Sequence, residues 1–404
     1  MDSMKRSPTF LVGTEKQRGI LDEFQRREQH FTEEYQKNKP LCFNARAFQQ
    51  MHPEKENEGH EDGDATLASP MLLGVCDGVS QVEELGLDVG ALPHELLQRC
   101  EEIATTQLLS DGSRTSLKAA DAYGGPVSLL KEAYEDTESF GSTSVLLAVM
   151  DNSTMIHGKL HPMVGVVTLG DCEMVMLRRQ GNKRGPLQVV LHTEMQRIGG
   201  HSQTPLQLAR MDEEHDPDFD EEDAIDAIER GSGLHCTSAY EGDILILGSD
   251  GVFDNLFLNE VVDICNQRLP ATASPFEPSQ PSRLAEIAEC IVKKAHLKSE
   301  MNLFTRLQST PVGAGGKADD ASVVVAEIIE WTAERREVWA RKQRRPSVWS
   351  SLFSCSAAPC SSRPCCSAPP DATPGGASDS ASERFSESGA SEQEHEESLG
   401  CTIV

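Results

Sequence analysis

Leu72-Leu73-Gly74-Val75-Cys76-Asp77-Gly78-Val79 is a nearly continuous apolar run that halts at an Asp-Gly pair. A strand covered on both faces reads this way, and the glycine leaves its carbonyl free to approach a cation. Residues 244–247 repeat the design, Ile-Leu-Ile-Leu leading into Gly248-Ser249-Asp250-Gly251-Val252-Phe253-Asp254. In Lys317-Ala318-Asp319-Asp320-Ala321-Ser322 the order inverts, and the acids precede Val323-Val324-Val325. Any one Asp-Gly is also the commonest turn dipeptide, so each carboxylate alone fits a turn or a helix cap. Taken jointly they differ. Strand ends from one sheet converge in space, and carboxylates buried together without cations repel one another. The joint pattern therefore predicts oxygen ligands for hard divalent ions, magnesium or manganese.

Outward from these motifs, residues 144–150, 163–169, 173–177 and 187–192 are short β-rich runs broken by turn dipeptides, an apparent antiparallel meander. Residues 67–76 read as the strand entering the first motif, and 51–63 as a charged loop. Helical patterns cover 88–109, 126–134, 255–267 and 282–297. Strands in succession with helices collected elsewhere predict an α+β fold of sheets layered with helices, and not a doubly wound parallel sheet. Residues 15–38 read as a surface helix within an N-terminal extension, 1–40. The acidic run at 211–223 lacks the glycine and the glutamate of a calcium loop and is read as a solvated loop.

The 404 residues carry a formal charge of −28, which argues against a general nucleic-acid binder. Of the twelve cysteines, seven are scattered through core-like segments without paired spacing and five sit in the tail; Cys76 and Cys172, beside the motifs, are expected to pack as small apolar residues. Residues 1–15 are polar, and no apolar run approaches a bilayer span. A cytoplasmic, reducing setting is the expectation.

From 334 to 404 the composition shifts. Arg335, Arg336, Arg341, Lys342, Arg344 and Arg345 interleave with tryptophans. A Ser/Pro/Cys-rich stretch and an acidic one follow, and the whole segment is expected to be a disordered tail. Cys355, Cys360, Cys365, Cys366 and the terminal Cys401-Thr402-Ile403-Val404 are candidate lipidation sites, which would make the protein membrane-peripheral.

The chain resembles the metal-dependent serine/threonine protein phosphatases of type 2C. The likeness covers about residues 51–332 and is nearest the branch whose first motif reads G-V-A-D-G-V-G-G. It is carried by His52-Pro53-Glu54-Lys55, Gly63-Asp64-Ala65, Gly141-Ser142-Thr143-Ser144, Thr168-Leu169-Gly170-Asp171 and Thr204-Pro205-Leu206-Gln207-Leu208. Beyond those stand Gly242-Asp243-Ile244-Leu245, Ser249 to Asn255 and Gly316-Lys317-Ala318-Asp319-Asp320. The resemblance implies two antiparallel sheets packed face to face between helices, within residues 41–333, and a two-metal site at one edge. It implies that Asp77 bridges both ions with help from the Gly78 carbonyl at one of them, and that Asp250 and Asp319 complete the ligand set of the second ion. Asp64 would act through water, Asp171 and Asp254 would hold a looser third ion, and Asp320 would be a bystander. No catalytic side chain is assigned beyond metal-activated water. The implied activity is hydrolysis of phosphoserine and phosphothreonine in phosphoprotein substrates by a monomer using Mn2+ or Mg2+. The chain departs from the branch at Ser80, where a glycine is usual, and from relatives outside it at Val79, where histidine is common; Arg46 is the one candidate for a phosphate-binding arginine. An inactive phosphatase-fold binding module accommodates these departures, and the tail suggests a third reading, an adaptor tethered to membrane by it.

Overall fold

In the computed structural model, the described residues are 39–109, 123–156, 159–180, 185–198, 204–269, 278–300 and 308–343. The expected helix at 15–38 and the tail cysteines 355, 360, 365, 366 and 401 lie outside them.

Two antiparallel sheets face each other. The first runs in the order β1 (Leu41–Gln50), β15 (Ala321–Glu330), β12 (Ile244–Gly248), β8 (Glu173–Arg179), β9 (Leu187–His192). The second runs β11 (Gly233–Ser238), β7 (Met163–Leu169), β4 (Gly141–Asp151), β3 (Leu72–Gly78), β2 (Asp64–Ala68), with β10 (Leu208–Arg210) also pairing with β4. Two-residue hairpins, β5 (Met155–Ile156) with β6 (Lys159–Leu160) and β13 (Ser309–Thr310) with β14 (Gly313–Ala314), lie outside both sheets.

The helices are α1 (Pro53–Glu58), α2 (Ala91–Leu109), α3 (Pro126–Glu135), α4 (Glu221–Asp226), α5 (Asp250–Phe253), α6 (Leu258–Arg268), α7 (Pro281–Ser299) and α8 (Ala333–Gln343). β4 shows how the layers form. Its alternate residues Leu146, Ala148 and Met150 join Met174, Met176, Leu245, Leu247, Val324 and Ala326 between the sheets. Val145, Leu147 and Val149 point the other way, onto Leu96, Leu97 and Cys100 of α2 and Leu130 of α3. On the far side, Ile244, Ile246, Val323 and Val325 pack against Ile287, Ile291 and Val292 of α7. Both faces of the central strands are buried, which is why their sequences run apolar without alternation. The expected α-β-β-α layering is present.

Three local expectations are corrected. The single strand at 67–76 is a hairpin, β2 to β3: Pro70 cannot donate to a ladder, and the Leu72 N–H bonds the Ser69 hydroxyl at 3.2 Å to close the turn. The loop at 51–63 contains α1, capped by the His52 side chain, opened by Pro53 and stopped by Gly59 at φ 84°. The meander splits between sheets, because β7 pairs with β4 while β8 pairs with β12 and β9. Gly170 makes the crossing at φ 111°; a Cβ there would stand 2.5 Å from the Ser144 Cβ and 2.7 Å from the Leu206 carbonyl oxygen. The basic segment after residue 333 starts as α8, with Trp331 in the inter-sheet core and Trp339 packed against it.

Candidate metal centre

The acid-bearing strand ends meet at one end of the sandwich, contributed by both sheets and not by one. Asp77 closes β3 and lies directly opposite Asp64 in the β2–β3 register. From the facing sheet, Asp250 opens α5 just after β12, and Asp319 and Asp320 immediately precede β15. The seam between the sheets is bonded. The Ser249 hydroxyl accepts from the Ser322 N–H at 3.0 Å and donates to Asp64 Oδ2 at 3.0 Å. Gly251 lets α5 press on the strand start, since a Cβ there would lie 1.9 Å from the Asp320 carbonyl oxygen. Asn255 fastens the 316–320 segment, accepting from the Lys317 N–H at 2.8 Å and donating to the Lys317 carbonyl at 2.9 Å.

Burial first, then repulsion from Asp64, Asp250 and Asp319, holds the Asp77 carboxyl well above the usual aspartate range. Asp64 is raised likewise, by burial and then by Asp62 and Asp320. Burial and Asp250 push Asp171 up to about 7 and Asp254 up to about 6, each against the pull of Arg197. Asp319 goes the other way: burial alone would raise it, but Lys317 and Lys55 hold it below the ordinary value.

Those lysines are what sequence reasoning missed. Lys317 Nζ lies 2.6 Å from Asp319 Oδ2 and bonds Asp250 Oδ2. Lys55, on α1, reaches Asp319 Oδ1 at 2.5 Å and Asp320 Oδ2 at 3.2 Å. Asp320 also accepts from the His52 backbone N–H at 2.9 Å and so anchors α1. Both lysines sit inside motifs the sequence reading quoted, yet nothing in a sequence marks which lysine folds back onto an acid. Arg46 is exposed on β1, its guanidinium donating to the Ala45 carbonyl at 2.6 Å. Cys76 and Cys172 are buried, the latter with its Sγ 3.0 Å from the Ser144 hydroxyl.

Lys55, Asp77, Asp171, Asp250, Lys317 and Asp319 line a cleft of about 950 Å³. Gly78, Val79, Ser80, Thr204, Pro205 and Gln207 line it as well, and so does Asp216 of the acidic run. Among the described residues, no three His, Cys, Asp or Glu side chains are drawn together as a coordination shell; the two ammonium groups stand among the carboxylates. The donor set nonetheless suits hard cations. It is all oxygen, Asp64 and Asp250 are buried while Asp77 and Asp319 are half-buried, and Asp250 Oδ1 has no hydrogen-bond partner although it is shut off from solvent.

No protein-family profile matches the chain. It is 27% identical over 297 residues to the probable protein phosphatase 2C 55 of Arabidopsis thaliana, covering 72% of this chain and 52% of that protein. It is 26% identical over 279 residues to the protein phosphatase PTC7 homolog fig of Drosophila virilis, covering 68% and 79%. The chain thus spans about half the length of the first relative and most of the second. Among solved structures, the photosystem II phosphatase PBCP aligns with a TM-score of 0.49 at 21% identity, over 70% of this chain and 98% of that one. By sequence, this chain is similar to protein phosphatases, several of them named as type 2C.

Proposed function

We propose that the protein is a metal-dependent phosphatase acting on phosphoserine and phosphothreonine in protein substrates. The carrying observation is the convergence of Asp77, Asp250 and Asp319 on one cleft at an end of the sandwich, with Asp64 directly opposite Asp77 behind it. In this reading Asp77, the Gly78 carbonyl, Asp250 and Asp319 hold two Mn2+ or Mg2+ ions. When bound, such ions supply an activated water and offset charge on the phosphoryl oxygens. Asp64, fixed by the Ser249 hydroxyl, holds a water by hydrogen bonding. Lys55 keeps Asp320 as its partner and turns its ammonium toward the cleft that it lines. Val79 and Ser80, which depart from the branch with a G-V-A-D-G-V-G-G first motif, shape the cleft wall and need carry no proton.

The tail from 334 to 404 serves location, with its cysteines as lipid attachment points on a cytoplasmic, monomeric enzyme. Among the described residues, no helix is long and apolar enough to cross a membrane. Phosphate release from a phosphoserine peptide by the purified chain tests the activity. Turnover with Mn2+ that vanishes in chelator is the expected result; manganese binding without any turnover would replace the enzyme with a binding module.

A further inference from the structure

Asp171 and Asp254, the pair expected to share a looser third ion, already have a cation. Arg197 Nη2 lies 2.9 Å from Asp254 Oδ1, 3.1 Å from Asp254 Oδ2 and 3.5 Å from Asp171 Oδ2. Both carboxylates are buried, and the guanidinium that covers them is itself only 18% exposed. The backbone delivers it there. The Gln196 N–H donates to the Gly170 carbonyl at 2.7 Å, and the Gln196 side chain accepts from the Gly170 N–H at 3.2 Å and donates to the Gly231 carbonyl at 2.8 Å. Arg197 pairs across the loop with Pro205, and the Ile198 N–H reaches the Thr204 carbonyl at 2.8 Å.

A divalent ion at this pair would have to share two carboxylates with a guanidinium a few ångströms away. Like charges at that separation disfavour each other in a buried setting, and the arginine needs no recruitment from solution. We infer that Arg197 takes the place of the third ion, so that the chain binds two divalent cations and not three. The same contact locks the loop that supplies Thr204, Pro205 and Gln207 to the cleft wall, with or without metal. The count of two rests on the proposed function; the role of Arg197 does not.

Equilibrium dialysis of the full chain against MnCl2, with bound manganese counted by elemental analysis, tests this without reference to turnover. Wild type is expected to hold two ions per chain, Arg197→Gln to gain a weaker third, and the double variant with Asp171→Asn to lose it again. A third ion on wild type that Asp171→Asn removes would overturn the inference, as would an Arg197→Gln protein that gains none. A wild-type count of zero contradicts the two-ion reading alone, and the Arg197 claim is then decided by whether Arg197→Gln gains one ion. Hydrogen exchange on wild type covers the case in which the variant fails to fold. Amides of residues 193–198 and 204–208 should stay equally protected in chelator and in manganese; protection that appears only with manganese overturns the lock.

Discussion

Lys317 balances the charge of the acids around it. Its ammonium bridges Asp250 and Asp319, and the acids in turn raise its own pKa against the burial that would lower it. Replacing it with methionine leaves those acids uncompensated. Lys317→Met should therefore melt lower than wild type in chelator, with the difference shrinking when manganese is added, as two thermal scans will show. A related expectation concerns pH. Asp171 and Asp254 have folded-state values near 7 and 6, above the ordinary aspartate value of 3.8 in the unfolded chain. Groups raised in this way favour the folded state while protonated. Their contribution is full below about pH 4 and is lost as pH rises toward 7. In chelator, this pair should make the melting temperature fall from about pH 5 to pH 7.5, and neutralising it in an Asp171→Asn, Asp254→Asn variant should flatten that slope. None of the basic partners was legible as such. Asp77, Asp250 and Asp319 announce themselves by ending or opening apolar runs. Lys55, Lys317 and Arg197 stand in polar surroundings typical of surface residues, and only folding brings them onto acids 264, 67 and 57 positions away.

At the scale of elements, strands were legible wherever they are buried on both faces. The runs at 144–150, 163–169 and 322–329 fall within β4, β7 and β15. Pairing was not legible, because a tight turn between consecutive strands looks the same whether the chain returns in one sheet or crosses to the next. Only the crowding around Gly170 distinguishes the crossing, and a sequence does not display crowding. The edge strand β11 escaped as well, having no apolar run to mark it, with Leu234 61% exposed. Close contact between elements gives a graded prediction. Gly251→Ala puts a methyl group 1.9 Å from the Asp320 carbonyl oxygen, against backbone that opens β15. Such a clash should cost more than about 3 kcal/mol in urea unfolding. Gly242→Ala is strained only by its φ of 91°, with nothing within 4 Å of the new Cβ, and should cost about 1 kcal/mol.

Across the whole molecule, the sandwich places its chemistry at one end and leaves its middle to packing. Leu146 is fully buried between the sheets, well inside β4 and away from the cleft lining. Leu146→Ala should cost about 2–5 kcal/mol while leaving manganese-dependent turnover at permissive temperature within about twofold of wild type. The site itself works the other way, trading stability for charge: burial and like-charge neighbours hold the Asp77 carboxyl above its ordinary range. Replacing Asp77 with asparagine therefore separates stability from function in a single variant. The two-cation site predicts that Asp77→Asn melts at or above wild type in chelator, loses the manganese-induced rise in melting temperature, and loses phosphopeptide turnover by about a thousandfold or more. An Asp77→Asn protein that still hydrolyses the phosphopeptide near the wild-type rate would contradict the site.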